Sequence, residues 1–254
     1  MYNKFFTVEV KPVLPVATQI QSNASDLVFG GGDVIFDWAA FDVPKGASKL
    51  IDINVMVRGA QTVKPLQFIF GKANTDNSAP SSIGTGNATA DGTGYYKNVL
   101  GSIQMDDTNF KVAGSTQLDN LTIGSLGHGA GADQTSTIVL EGRPESGVNL
   151  GYDKLYIACI TSGGSGWNFS TGVLANATTE VGAATTFVTK TVDPRLFFDI
   201  GDVVHVHDSD TAIGTVESLT DNDINLEAVN GVAIATNDEI INASPITLIL
   251  SFEK

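Results

Sequence analysis

FDIGDVVHVHDSDTAIGTVESLTDNDINLEAVNGVAIATNDEI, residues 198–240, is the stretch that decides the fold. Short alternating apolar runs are separated by Gly, Asp and Asn turns at near-even spacing. That pattern predicts a small, tightly turned β-barrel, a module with little room for an active site. Asn230-Gly231 carries the strongest hairpin signal, because a type I′ turn needs two residues at positive φ. Upstream, TFVTKTV (186–192) opens the module and Asp193-Pro194 marks a turn. Downstream, ITLILSF (246–252) places Ile246, Leu248, Leu250 and Phe252 on one face. Two placements of this last strand (245–253) are open. It closes the barrel, or it returns to the sheet of the preceding domain and makes the barrel an insertion.

The first 175 residues read as a second β domain. FFTVEVKPV alternates and ends in prolines; LVFGGGDVIFDWAAF sets three glycines between two apolar runs. LIDINVMVR (50–58) alternates cleanly, with Leu50, Asp52, Asn54, Met56 and Arg58 opposite Ile51, Ile53, Val55 and Val57. Further strands are expected at 66–70, 95–104, 117–123, 135–140 and 154–161. Between them runs GKANTDNSAPSSIGTGNATADGTG (71–94), which has no periodicity and is expected to be exposed and poorly packed. No segment holds a 3.6-residue period for more than two turns. The fold class expected is therefore all-β: a jelly-roll-like β-sandwich over 1–175 followed by a small acidic β-barrel over 176–254, joined by the small, polar stretch ANATTEVGAATT (175–186).

The net charge of −14 is unevenly placed. Residues 1–175 hold 15 acids and 11 bases, whereas 176–254 hold 13 acids and 3 bases. An acidic end argues against nucleic acid, whose phosphates need Lys and Arg, and against anionic membranes. The single cysteine, Cys159, lies in the apolar run LYIACI and reads as a buried free thiol. The start MYNKFFTVEVKPVLPV has no continuous apolar core of the kind a signal peptide carries, and no 18-residue apolar run is present. Synthesis in a reducing cytoplasm is the expectation, and the N-x-S/T triplets at Asn23, Asn87, Asn120, Asn168 and Asn176 read as loop and edge composition.

Candidate chemistry is thin. His205 and His207 share a strand face, with Asp208 and Asp210 following, but a zinc site needs a third and usually a fourth ligand; two exposed histidines are expected. Asp221-Asn222-Asp223-Ile224-Asn225 resembles half a calcium loop, yet Leu226 stands where Gly is required and Val232 where Glu is required. Gly71-Lys72 lacks the rest of a phosphate loop, and GSGW (164–167) is not a nucleophile elbow. Ser165 and His128 have nothing to link them as a nucleophile pair. Asp106-Asp107 and the pair Asp33 and Asp37 read as turns and strand edges. Trp38 and Trp167 each lie among alternating apolar residues, which favours core packing over sugar stacking. No catalytic residue, metal ligand or cofactor is expected, and an enzyme is not.

From residue 200 the string resembles small β-barrel modules in structural proteins of tailed bacteriophages, particularly marine ones. The matching positions are Gly201, Asp202, Gly214, Val216, Ile224, Leu226, Asn230, Gly231 and Ile240. Residues 1–175 look broadly like phage capsid decoration (cement) proteins in being Thr-, Gly- and Ala-rich and poor in Cys. The resemblance implies a virion protein on the capsid surface, made in the host cytoplasm. It implies a homotrimer whose partners are the major capsid protein and its own copies. Nucleic acid, membrane and small-molecule substrates are not expected. The expected contact residues are Tyr2, Phe5, Phe6, Val8 and Val13 in an N-terminal arm (1–15) that orders on binding, and Ile83, Tyr95 and Tyr96 around the long loop. Two other readings stay open: a tail, baseplate or fibre component, and a carbohydrate-binding β-sandwich with exposed aromatics.

Overall fold

The structure, a computed structural model, describes residues 4–14, 29–59, 64–91, 94–112, 121–125, 138–142, 152–163, 167–169, 172–180, 182–190, 192–207 and 211–254. In the first domain the strands are β1 (Phe5–Val10), β2 (Val34–Pro44), β3 (Ser48–Arg58), β4 (Leu66–Lys72), β5 (Val99–Met105), β6 (Phe110–Val112), β7 (Leu121–Ser125), β8 (Ile138–Leu140) and β9 (Tyr152–Thr161). Then follow β10 (Val173–Leu174), β11 (Thr186–Val188), β12 (Val203–Val206), β13 (Ala212–Leu219), β14 (Asp223–Leu226), β15 (Glu239–Asn242) and β16 (Ile246–Glu253).

One sandwich sheet runs β1-β16-β3-β7-β6, with β8 also pairing β3, and the other runs β2-β9-β4-β5. All pairings are antiparallel. The chain crosses between sheets from β1 to β2, β2 to β3 and β3 to β4, turns back within one sheet at β4–β5, and crosses again to reach β6 and β7. This alternation, with β1-β16-β3-β7 facing β2-β9-β4-β5, is jelly-roll topology. The inner faces interdigitate as expected for packed sheets. Val10, Ile53, Val55, Val57, Leu248, Leu250 and Phe252 meet Phe41, Phe68, Phe70, Ile103, Leu155, Ile157 and Cys159 in one buried cluster. Burial pushes the Cys159 thiol well above its usual range, which leaves it protonated and unreactive.

The clean alternation expected of 50–58 breaks at one residue. Ser251 pairs with Asp52, but Phe252 pairs with Leu50, so Ile51 is an extra residue in β3. This β-bulge turns Leu50 inward to 1 % exposure and pushes Ile51 out to 39 %. Period-2 reasoning puts Ile51 in the core because a bulge has no signature in an apolar run. The expected strand over 95–104 begins later than predicted, since residues Tyr96–Asn98 form a turn of 3-10 helix before β5.

β16 lies between β1 and β3, so the last strand belongs to the sandwich. Its inward residues Ile246, Leu248, Leu250 and Phe252 are fully buried there. Burying a side chain of this size contributes roughly 1.5–3 kcal/mol, an upper figure given a compact unfolded chain. The barrel has no vacancy for it. Its strands follow the order β10-β15-β12-β13-β14-β11. An isolated bridge between Ala175 and Thr189 closes the ring, with Asn176 N–H donating to the Val188 carbonyl (2.9 Å) and Lys190 N–H to the Leu174 carbonyl (2.8 Å). The barrel is thus an insertion between β9 and β16, around its own core of Val173, Phe187, Phe198, Val204, Ile213, Val216, Ile224, Leu226, Ile234 and Ile240. The stretch expected to join two modules is barrel wall instead: Ala175 is fully buried and Thr179 bridges Ile234.

Asn230-Gly231 is not a type I′ hairpin turn. Positive φ occurs at Asn77, Asn87, Asn237 and several glycines, Gly201 among them, but not at Asn230 or Gly231. Asn230 is 1 % exposed and acts through its side chain. Its Oδ1 accepts from Ala183 and Ala184 N–H (both 3.1 Å), and its Nδ2 donates to the carbonyls of Glu180 (2.8 Å) and Val232 (2.9 Å).

Candidate functional site

The two outer faces of the sandwich differ. On the β2-β9-β4-β5 side, the long segment between β4 and β5 folds back over the sheet. Ile83 is fully buried in a small cluster with Val34, Tyr95 and Ala158, and Trp38 packs against it. Trp38 Nε1 donates to the Ser81 carbonyl (2.8 Å), and Ile83 N–H donates to Asp37 Oδ1 (3.0 Å). The Asn98 amide donates to the Lys72 carbonyl (2.9 Å) and to Asn74 Oδ1 (3.1 Å). The expectation of an exposed, poorly packed loop is corrected in part: Thr75, Asp76, Ser78, Ala79, Ser81 and Ser82 are exposed, but Ala73, Pro80 and Ile83 are buried, and polar side chains tie the segment to its neighbours.

No such cover lies, among the described residues, over the outward face of the other sheet. Register places Phe5, Thr7 and Glu9 of β1 beside Glu253, Ser251 and Ile249 of β16. Ile249 lies beside Asn54, and Met56 of β3 beside Ile123 of β7. Lys49 lies beside Val139 of β8. Phe5 (66 %), Val139 (65 %), Ile123 (40 %) and Ile51 (39 %) are exposed on this face, and Met56 and Ile249 are half-buried. An outward sheet face is ordinarily polar, so six apolar side chains on one bare face are the chief surface feature of the sandwich. They fall in two strips, Ile249, Met56 and Ile123 nearer the barrel and Phe5, Ile51 and Val139 at the far end. Between the strips, Asn54 donates to Asp52 (2.8 Å).

The residues expected to make contacts do not come together. Phe5 lies on the bare face. Phe6 and Val8 point the other way, Phe6 stacked on Phe252 at 5.1 Å and Val8 packed against the core. The expectation that residues 1–15 form an arm ordering only on binding is therefore corrected for Phe5–Val10, which is a sheet strand paired along its length with β16. Tyr2 lies outside the described residues. Ile83 and Tyr95 are buried under the folded-back segment, whereas Tyr96 is 69 % exposed beside Tyr95 (ring centroids 5.3 Å). Val13, 52 % exposed, lines a cleft of about 440 Å³ with Pro12, Leu14, Asp37, Trp38, Ala39 and Gly84–Gly86. Of the described residues in the predicted set, only Phe5 lies on this face. Ile51, Met56, Ile123, Val139 and Ile249 were not singled out from sequence; Met56 and Ile249, apolar residues on the outward phase of alternating strands, carried a signal, whereas Ile51 sits on the core phase and turns outward only through the bulge.

The candidate chemical groups are engaged structurally. His205, expected to be exposed, is 3 % exposed, and His207 is half-buried. Asp223 closes the β13–β14 turn: Thr220 Oγ1 donates to its carboxylate (3.0 Å) and accepts from Asp223 N–H (2.9 Å). Trp167 is fully buried, stacked on Phe169 and edge-on to Phe110, with Nε1 donating to the Lys64 carbonyl (3.0 Å). Trp38 is only half-buried and lines the cleft just described, so core packing accounts for one tryptophan fully and the other in part. Asp208, Asp210, Ser165 and His128 lie outside the described residues. Among the described residues no three His, Cys, Asp or Glu side chains group as a metal site.

No family model matches the chain, and no curated protein matches it. Two solved structures are weakly similar. One is the VP2 subviral particle of infectious bursal disease virus, at 10 % identity and a TM-score of 0.16, covering 99 % of this chain and 41 % of that one. The other is infectious bursal disease virus strain Gx, at 10 % identity and a TM-score of 0.14, covering 100 % and 41 %. The chain thus spans about two fifths of the length of each. The jelly-roll assignment rests on the strand order above and not on these alignments.

Proposed function

We propose that this chain is a non-enzymatic structural protein of a tailed-phage virion, a decoration (cement) protein that binds the outer head lattice and its own copies. The observation that carries the reading is the apolar outward face of the β1-β16-β3-β7 sheet, which no described residue covers. The opposite face is partly covered by the chain's own segment, which buries Ile83 against Val34 and Ala158. The barrel, with 12 acidic and 2 basic residues over 176–242, supports the same orientation. An acidic module repels further copies of itself and faces away from a crowded surface. Weak contacts repeated over a symmetric lattice add up through avidity, so modest apolar strips suffice.

Removing residues 2–15 would strip a sheet strand, so substitution on the apolar face is the cleaner test. Immunogold microscopy of source virions with antibody to this chain is expected to label heads densely and evenly. Purified Val139→Glu and Ile51→Glu proteins are expected to fold and to bind stripped heads at least tenfold more weakly, whereas Tyr96→Ser is expected to bind normally. Labelling confined to tails, or undiminished binding by both Glu variants, would sink the proposal.

A further inference from the structure

We propose that the barrel is a hinged arm, held at a fixed angle to the sandwich by a two-pair ionic clasp and free to swing when the clasp opens. This inference rests on the junction alone and holds whatever surface the sandwich binds.

The two apolar cores share no residue. Domains joined by a polar interface are expected to move relative to one another unless something fixes them. At this junction the side chains that reach across are charged, beside a backbone contact between buried Leu14 and Ala243. Lys11, just past β1, pairs with Asp202 at the mouth of the barrel and also donates to the Ile200 carbonyl (3.3 Å). Arg58, the last residue of β3, grips Asp199 with two bonds, Nε to Oδ2 and Nη2 to Oδ1, each 2.5 Å. Each pair joins a sandwich cation to a barrel anion, and both anions lie in the same turn before β12.

The exit linker supplies the pivot. Ala243, Ser244 and Pro245 are fastened on both sides: Ala243 N–H donates to the Val203 carbonyl (2.8 Å), and Arg58 N–H donates to the Pro245 carbonyl (2.9 Å). Leu14 N–H adds a bond to the Ala243 carbonyl (2.6 Å). These backbone bonds cluster at one strand of chain. They locate the barrel without setting its tilt, and the clasp sets the tilt from the side.

Asp202 makes the clasp sensitive to acid. It is 1 % exposed, accepts from Asn242 Nδ2 (2.5 Å) and from Asp199 N–H (2.7 Å), and burial pushes its carboxyl above the usual range. The groups facing it are Lys11 from the sandwich and, from the barrel, the Asp199 N–H and the uncharged Asn242. Ser244 is tied to Val203 N–H (2.8 Å). His205 lies on β12 and His207 just past its end. A protonated Asp202 keeps its contacts within the barrel and loses its charge attraction for Lys11. Protonation of Asp202 therefore weakens one of the two pairs that hold the junction and leaves the Arg58–Asp199 pair in place.

The test is a distance distribution by double electron–electron resonance on the full chain, with spin labels at Thr7→Cys and Ala228→Cys. Buried Cys159 stays unlabelled. At neutral pH and low salt a single narrow distance is expected. Arg58→Asp is expected to broaden it, and the exchange Arg58→Asp with Asp199→Arg to restore it. Lys11→Gln combined with Arg58→Gln is expected to abolish the narrow component, with circular dichroism unchanged. A narrow distribution in Arg58→Asp, or a broad one in the parent chain at neutral pH, overturns the proposal. Should the double Gln variant lose its folded spectrum, the Arg58–Asp199 exchange still decides the matter.

Discussion

Replacing Asn230 by glycine separates two accounts of the same dipeptide. If Asn230-Gly231 were a type I′ turn, glycine would accept the positive φ and the change would be neutral or mildly favourable. In the structure Asn230 is buried and its amide makes four hydrogen bonds that knit the segment after β10 to the segment after β14. A net intramolecular hydrogen bond contributes about 0.5–1.5 kcal/mol, and a buried group left without a partner costs about 1–3 kcal/mol. Four bonds give roughly 2–6 kcal/mol, and partial rehydration of the freed loop brings the expected loss to about 2–4 kcal/mol. For a unit of the barrel's size each kcal/mol lowers Tm by about 4–8 °C, so the barrel transition should fall by about 8–30 °C. Calorimetry measures the transition, and amide exchange localises it to residues 182–184 and 226–234. Asn230→Gly within ~0.5 kcal/mol of the parent would refute the hub account.

Trp167→Phe should cost more than its lost area, because the Lys64 carbonyl loses its donor; a loss of about 2–4 kcal/mol in urea unfolding is expected. Gly172→Ala should prevent barrel closure, since a Cβ there meets the Ile240 carbonyl, whereas Gly163→Ala, with open space around it, should fold normally by circular dichroism. Ile83→Ala should cost about 2–4 kcal/mol and release amide protection in residues 83–91 while the main core stays protected. The raised carboxyl of Asp202 makes the native state bind its proton more tightly than the unfolded chain does, so its contribution to stability falls as pH rises from the ordinary carboxylate range through the raised value. Asp202→Asn should therefore gain stability relative to the parent across that window and hold the gain above it; a difference that does not change with pH would contradict the assignment.

β3 and β16 were readable because half-buried strands alternate, whereas β4 and β9 read as strands from short continuous apolar runs buried on both faces. What alternation does not encode is the partner. ITLILSF fits a barrel or a sandwich equally well, and only closure of the barrel by β10 and β11 sends it elsewhere. The bulge at Ile51 hides in an apolar run for a similar reason. The segment 71–94 reads as loose by composition because its few buried residues, Ile83 over Val34 and Ala158 above all, and its backbone bonds to Gly32 and Val34 meet partners far away in sequence. The bare face was missed because each of its apolar residues is unremarkable in its own strand. Only lateral register brings Ile123 beside Met56 and Val139 beside Lys49.

The insertion of the barrel orders events in time. Of the strands described here, β16 leaves the ribosome last, yet it holds β1 to β3, and its pairing of Phe5 with Glu253 spans nearly the whole chain. Such long-range closure is slow, because loop entropy must be overcome before the contact stabilises anything. The barrel, complete by residue 242, can fold first and draw the ends of β9 and β16 together. It would then shorten the loop the sandwich must close, and a barrel that fails to form would leave β1 and β3 as unzipped, aggregation-prone edges.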